Sequence, residues 1–201
     1  MLKVALFDLN QTVYNKSSKD EFFKYVCYRR NYKLINLLQM GWHTLQKELN
    51  LATKTEHKEN FFHYMDKLSP STVDKFATEY WSVEWPQHFN QTLLQRIDQL
   101  RQSGNKIVFI TGALDVYVKP LFETFLIPDY WIATRTQYIG NSYKVIGKAC
   151  KDDEKLQRLN QILHPRPYEI TEAYSDQKED ILKAAQKAFL IKHGEAIPVT
   201  F

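Results

Sequence analysis

The sequence predicts an α/β fold: a doubly wound parallel sheet with an all-helical cap inserted after the first strand. Three observations carry this. The short apolar runs Val4-Ala5-Leu6-Phe7 and Ile107-Val108-Phe109-Ile110 have the length of buried strands. Strand patterns then alternate with helical ones, which implies parallel pairing. Between the first two runs, the apolar period is helical from about Ser17 to about Arg101.

Taken in order, residues 2–9 read as the first strand. Phe22, Phe23, Val26 and Cys27 repeat at helical spacing, as do Leu34, Leu37, Leu38 and Trp42, and then Phe61, Phe62, Met65 and Leu68. Ser69-Pro70-Ser71-Thr72 is a helix-entry signal. Leu93, Leu94, Ile97 and Leu100 extend the pattern to Gly104, a helix stop. Lys106–Ile110 is the second strand, with a helix over 116–125 after Thr111-Gly112. Residues 130–133 form a third strand, and 138–145 a hairpin turning at Gly140-Asn141. A helix over 152–163, a strand over 168–174, another helix and a strand over 188–191 complete the pattern. The expected organisation is a catalytic core from 1–15 and 101–201, with a cap from 16–100.

Composition narrows the class. Hydrophobic residues make up 44% and charged residues 25%, as in ordinary soluble globular proteins. A net charge of +4 with scattered basic residues argues against a nucleic-acid partner. The chain opens directly into a strand, without a secretory signal, and Cys27 and Cys150 make no disulfide framework. A reducing cytoplasm is the expected setting. The longest apolar stretch, Leu34–Trp42, is too short to span a bilayer and is broken by Asn36 and Gln39. It reads as a cap helix with a buried face. The alternative is an interfacial helix on a membrane surface, flanked by Arg29, Arg30 and Lys33.

The first strand stops at a carboxylate. Asp8 arrives at the carboxyl edge of the sheet, where open α/β sheets bind ligands. Three further elements follow: Ile110-Thr111-Gly112-Ala113, then Lys155 within Cys150-Lys151-Asp152-Asp153-Glu154-Lys155, then Tyr174-Ser175-Asp176-Gln177-Lys178-Glu179-Asp180. In order and spacing, with Asp8-Leu9-Asn10-Gln11-Thr12 first, they resemble the four motifs of the haloacid dehalogenase-like (HAD) superfamily, whose core is Rossmann-like. The helical insert is similar to that of the phosphoserine phosphatase-like subfamily IB. Cys150–Lys155 and Tyr174-Ser175-Asp176 also resemble a bacterial phosphatidylglycerophosphate phosphatase.

The resemblance implies a magnesium-dependent (Mg2+) phosphatase acting on a small phosphorylated substrate. Asp8 would be the nucleophile, forming an aspartyl-phosphate. Asp8, Asp176 and the backbone carbonyl of Asn10 would hold the metal, with Asp180 orienting its water. Thr111 and Gly112 would bind phosphate oxygens at a helix start, and Lys155 would neutralise phosphate charge. Each has an alternative: Thr111 as a helix N-cap, Asp180 as a surface acid, Lys155 displaced by Lys144, Lys148 or Lys151. Arg29 and Arg30 would clamp a second anionic group, or form a solvated basic helix end. Asp152 reads as a cap of the helix it precedes, the alternative being an inward-pointing negative charge that weakens anion binding.

Asn10 stands where the family pattern, Asp-x-Asp-x-Thr or Asp-x-Asp-x-Val, has its second aspartate. That aspartate protonates the leaving alcohol and then deprotonates water, and an amide does neither. The expectation is weakened turnover, with Asp115 and Glu21 as candidate substitutes. The second reading is a retired pseudo-phosphatase that binds a phosphorylated ligand or partner. A lipid phosphate is the alternative substrate, and nothing in the sequence sets an oligomeric state.

Overall fold

A computed structural model of the chain describes residues 1–30 and 62–201. The expectation placed on Leu34–Trp42, and the helical stripe there, lie outside the described residues. The strands are β1 (Leu2–Phe7), β2 (Lys106–Leu114), β3 (Tyr130–Thr134), β4 (Thr136–Ile139), β5 (Ser142–Val145), β6 (Tyr168–Ser175), β7 (Lys187–Lys192) and β8 (Glu195–Val199). Six of them form one sheet in the order β3-β2-β1-β6-β7-β8, while β4 and β5 pair as a separate hairpin. All pairings in the main sheet are parallel except β7 with β8.

The helices are α1 (Ser18–Arg29), α2 (Pro70–Glu84), α3 (Gln91–Gln102), α4 (Asp115–Pro120), α5 (Asp153–Leu163) and α6 (Asp180–Lys183), with a 3-10 turn at Phe62–Met65. Strand alternation sorts the core onto two faces. Ala5, Phe7, Ile107 and Phe109 face one way and pack with buried residues of α1 to α4. Val4, Leu6, Val108 and Ile110 face the other way, against Leu159 and Leu163 of α5 and Ile181 and Leu182 of α6. With both faces covered, the central strands are apolar throughout, as parallel sheets require. On the first face Phe109, Phe7, Tyr174 and Phe189 stack ring on ring across four adjacent strands, at centroid spacings of 5.7, 4.7 and 4.7 Å.

The helix-entry signal at Ser69 is realised as a cap: its side chain accepts from the Thr72 amide at 3.2 Å, with Pro70 opening α2. Three elements depart from expectation. The helix expected over 116–125 is α-helical only to Pro120 and continues as a π-helical turn, Leu121–Phe125. Proline has no amide to donate to the preceding turn, and the Leu126 amide reaches back five residues to the Leu121 carbonyl. The second strand runs on to Leu114, so Thr111 and Gly112 lie within it and not at a helix start. The antiparallel edge strand β8 was not expected. It follows a two-residue turn, His193-Gly194, in which both residues have positive φ (51° and 82°), the geometry that suits a tight hairpin. Pro198 sits on this edge, where a missing donor costs no ladder bond.

Inside the first face, Glu172 is buried and accepts from Arg96 (2.6 Å) and Tyr174 (2.6 Å). Burial opposes its charge, but the Arg96 and Tyr174 hydrogen bonds, with the charges of Arg96 and Lys187, hold the carboxyl below its ordinary value. A depressed carboxyl stabilises the fold above its unfolded value and loses that contribution as pH falls through the folded one. Glu172→Gln is therefore expected to cost about 1–2 kcal/mol at pH 7, allowing for the exposure of Arg96. Urea denaturation should show the gap closing as the pH is taken well below 4.5, the ordinary value for the group.

Candidate active site

The strand order reverses at β1: β2 and β3 lie on one side, β6 and β7 on the other. Such a switch point leaves a crevice beyond the strand ends. Phe7 pairs with Phe109 of β2 and Tyr174 of β6, so the next residue, Asp8, emerges at the end of β6 and alongside β2, which continues to Leu114. There it lines a cavity of about 620 Å³ together with Asn10, Gly112, Lys155, Asp176 and Asp180. These six expected site residues are thus brought together from four separate stretches of chain.

Lys155 is the lysine that meets Asp8. It is buried in the first turn of α5, and its Nζ donates to Asp8 Oδ1 at 2.8 Å. The same ammonium contacts Glu179 Oε2 at 2.7 Å. Glu179 also accepts from the Ser175 hydroxyl at 2.5 Å. Burial raises the Asp8 carboxyl; the Lys155 charge and hydrogen bond pull it down, and Asp176 pushes it up. The net direction is upward, as it is for Asp176, where burial is the main cause and the Glu179 charge adds to it. Burial works against the Lys155 charge, but Asp8 and Glu179 together hold the ammonium above its ordinary value. Glu179 was not singled out from the sequence. The four-residue spacing from Asp176 pointed to Asp180 instead, and two adjacent acids give no sign of which turns inward.

The approach of α5 to β1 is fixed by buried polar contacts. Arg158, one turn beyond Lys155, donates to the carbonyls of Ala133 (2.8 Å) and Lys148 (2.5 Å). The Thr134 hydroxyl donates to the Gly112 carbonyl at 3.0 Å and accepts from the Cys150 amide at 3.0 Å. Gly112 is thereby drawn against the 150–151 stretch. A Cβ there would meet the Cys150 carbonyl and the Lys151 side chain at 3.4 Å.

Asn10 has a structural role that the sequence did not show. Its Oδ1 accepts from the Ser18 amide at 2.8 Å, one of the orphan donors at the start of α1. Ser17 occupies the N-cap position but makes no side-chain cap bond, so Asn10 does this from eight residues away. Gln11 makes the intervening turn at φ 55°. The remaining expected residues lie elsewhere. Thr111 is fully buried, and its hydroxyl accepts from the Ala113 amide at 3.2 Å. Arg29 bonds Glu79 and Tyr25, and Arg30 the Tyr64 carbonyl. Both are at the far end of α1, about 16 Å along the axis from the end that meets the cavity. Asp115 is committed to Val116 and Thr136, and Glu21 to Lys24. Asp152, by contrast, lines the same cavity as Asp8, and it precedes α5 at φ 52° without a side-chain cap bond.

No group of three or more His, Cys, Asp or Glu side chains is arranged to hold a metal among the described residues. Magnesium does not need one: it binds through one or two carboxylates, keeps several waters and takes oxygens from substrate phosphate. Asp8 and Asp176 are two such carboxylates in one cavity, and burial disfavours the charge of each. The donor set is all oxygen and suits a hard cation. Asp180 lines the same cavity, with its Oδ1 paired to Lys183 at 2.9 Å.

The sequence pattern of the haloacid dehalogenase-like hydrolase family matches residues 5–184, nearly the whole chain. The protein belongs to that family of hydrolases. Among solved structures, a protein of unknown function from Bordetella pertussis Tohama I is similar at a TM-score of 0.81, with 16% identity over 94% of this chain and 90% of that one. A phosphoserine phosphohydrolase-like protein from Francisella tularensis gives 0.65, with 17% identity over 94% and 87%. A phosphoserine phosphatase held as an analogue of its phospho-aspartyl intermediate gives 0.62, with 18% identity over 94% and 86%. At these identities the likeness is one of fold. No curated protein matches the sequence. Among the described residues, no helix is long and apolar enough to cross a membrane.

Proposed function

We propose that the protein is a magnesium-dependent phosphomonoester hydrolase that works through an aspartyl-phosphate on Asp8. One observation carries this: a buried carboxylate at the end of β1 is held by the Lys155 ammonium at 2.8 Å, in a cavity shared with Asp176. The hydrogen bond to Lys155 orients Asp8 for attack on phosphorus. The same ammonium, with the Gly112 edge of β2, meets the charge on phosphoryl oxygens. Bound at Asp8, Asp176 and the Asn10 carbonyl, magnesium would neutralise those oxygens further. The segment 16–100 acts as the cap that selects the substrate. A phosphoserine phosphatase of similar fold is named for a phospho-aspartyl intermediate, which supports the covalent route.

Asn10 sets the character of the reaction. It has no proton to give a leaving alcohol, so substrates whose leaving group departs as a stable anion are favoured. The expected result is kcat/KM for an aryl phosphate exceeding that for an alkyl phosphate by at least about 10²-fold, with both lost in chelator. Equal values would mean that another group protonates the leaving oxygen. The pseudo-phosphatase reading has one observation in its favour: the side-chain oxygen of Asn10 is taken up by the Ser18 amide at the start of α1. Magnesium-dependent turnover in the same assay removes it.

A further inference from the structure

We propose that the reaction halts at its midpoint, so that the protein persists as phospho-Asp8 after accepting a phosphoryl group from an acyl or aryl phosphate. This rests on Asp8 being the nucleophile, and goes beyond it in naming the resting state and the donor class.

Two chemical steps make different demands on the cavity. In the first, an Asp8 carboxylate oxygen bonds to phosphorus as the bond from phosphorus to the donor oxygen breaks. That oxygen leaves with the electron pair as a carboxylate or phenolate, and no proton is required. In the second, water attacks the phosphorus of the acyl phosphate, the Asp8–phosphorus bond breaks, and the carboxylate is restored. The attacking water must lose a proton, and a positioned base typically accelerates such a step by about 10²–10⁴-fold.

Asn10, two residues beyond Asp8 and lining the same cavity, is unable to take that proton. A backbone N–H is only a donor, so the end of the Asn10 side chain that meets the Ser18 amide is its oxygen. The nitrogen is left at the other end, as a donor. Ser18 is fully buried and is itself bonded to the Tyr117 hydroxyl, so the amide is fixed from behind. Of the other cavity side chains, Gln11 and Gln177 are also amides, Asp176 is one of the two carboxylates placed for the metal, Asp180 is paired to Lys183, and Asp152 lies at the start of α5. Glu179 is held through both oxygens by Lys155 and through one by Ser175. The geometry therefore serves formation of the acyl phosphate and gives its hydrolysis no base at Asn10.

The test uses the full chain with magnesium and either acetyl phosphate or 4-nitrophenyl phosphate. Product release is followed in the first turnover, and intact mass is read after an acid quench. The expected result is a burst of about one 4-nitrophenolate per protein, then a slow steady state, with a mass increase of one phosphoryl group that hydroxylamine removes. In Asn10→Asp, whose carboxylate caps α1 as well as the amide does, the steady state should rise by at least about 10²-fold and the adduct disappear. Linear release without burst or adduct, lost in Asp8→Asn, overturns this inference but leaves the hydrolase reading standing. Neither release nor adduct overturns both. A burst and adduct unchanged by Asn10→Asp would remove Asn10 as the cause.

Discussion

Replacing Asp8 with asparagine is expected to lower turnover of aryl and alkyl phosphates by at least about 10⁴-fold without unfolding the chain. The loss follows from the roles that converge on one carboxylate. It is the attacking group, the partner of Lys155 at 2.8 Å, and one of two carboxylates placed for the metal. An asparagine of the same shape accepts the Lys155 hydrogen bond but is not a competent nucleophile. The fold should survive for a separate reason. Burial disfavours the Asp8 charge and Asp176 adds repulsion, so a neutral amide relieves a cost that the folded state carries. Lys155 keeps Glu179 as its counter-charge. Thermal melting in chelator should place Asp8→Asn at or above the parent, in keeping with a site held under electrostatic strain. A variant that is inactive and much less stable would show that Asp8 is a structural residue instead. Residual turnover above about 10⁻² of the parent would show that the nucleophile lies elsewhere.

What the sequence showed and what it hid divide along a physical line. Asp8 and Asp176 follow apolar strands and Gly112 follows the apolar run 107–110 within β2, and a parallel sheet brings such positions on adjacent strands to one edge, so their meeting was legible in the pattern. Lys155 was legible only by its place among the motifs; three other lysines lay nearby, and the burial of α5 against the sheet decided between them. Side-chain direction at chain reversals was not legible. Asn10 turns to the start of α1, and Glu179 rather than its neighbour Asp180 turns to Lys155; both depend on turn geometry that the residue types do not encode. Thr111 was displaced from its expected helix start because β2 continues past it, with a shift in its pairing to β3 between Ile110 and Leu114. Arg29 and Arg30 failed on distance: their helix begins at the cavity, and they lie at its other end. The edge strand β8 was missed because its exposed, proline-containing run lacks the apolar signature of the central strands, leaving only His193-Gly194 to mark the hairpin.

Lys155→Met should be the most destabilising single change at the site. Lys155 is 4% exposed, and its ammonium contacts Asp8 and Glu179, both within 2.9 Å. A methionine fills most of the volume but leaves two carboxylates facing each other in a buried setting. Breaking a buried pair by removing one partner costs about 3–5 kcal/mol, because the remaining charge is uncompensated. For a chain whose total stability is of order 5–15 kcal/mol, that is a large share. The direction can be separated from a simple packing defect by adding a cation. Magnesium at Asp8 and Asp176 would restore some of the missing positive charge, so its addition should raise the melting temperature of Lys155→Met by more than it raises that of the parent. A packing defect would leave the two increments equal. The double variant Lys155→Met with Glu179→Gln gives a second handle: removing one of the two stranded carboxylates should recover part of the loss, and additive destabilisation would show that the two side chains do not act as a unit. Activity should not return in either case, since the charge that meets the phosphoryl oxygens is still missing. Stability and catalysis therefore depend on the same ammonium for different reasons, and the magnesium titration separates them.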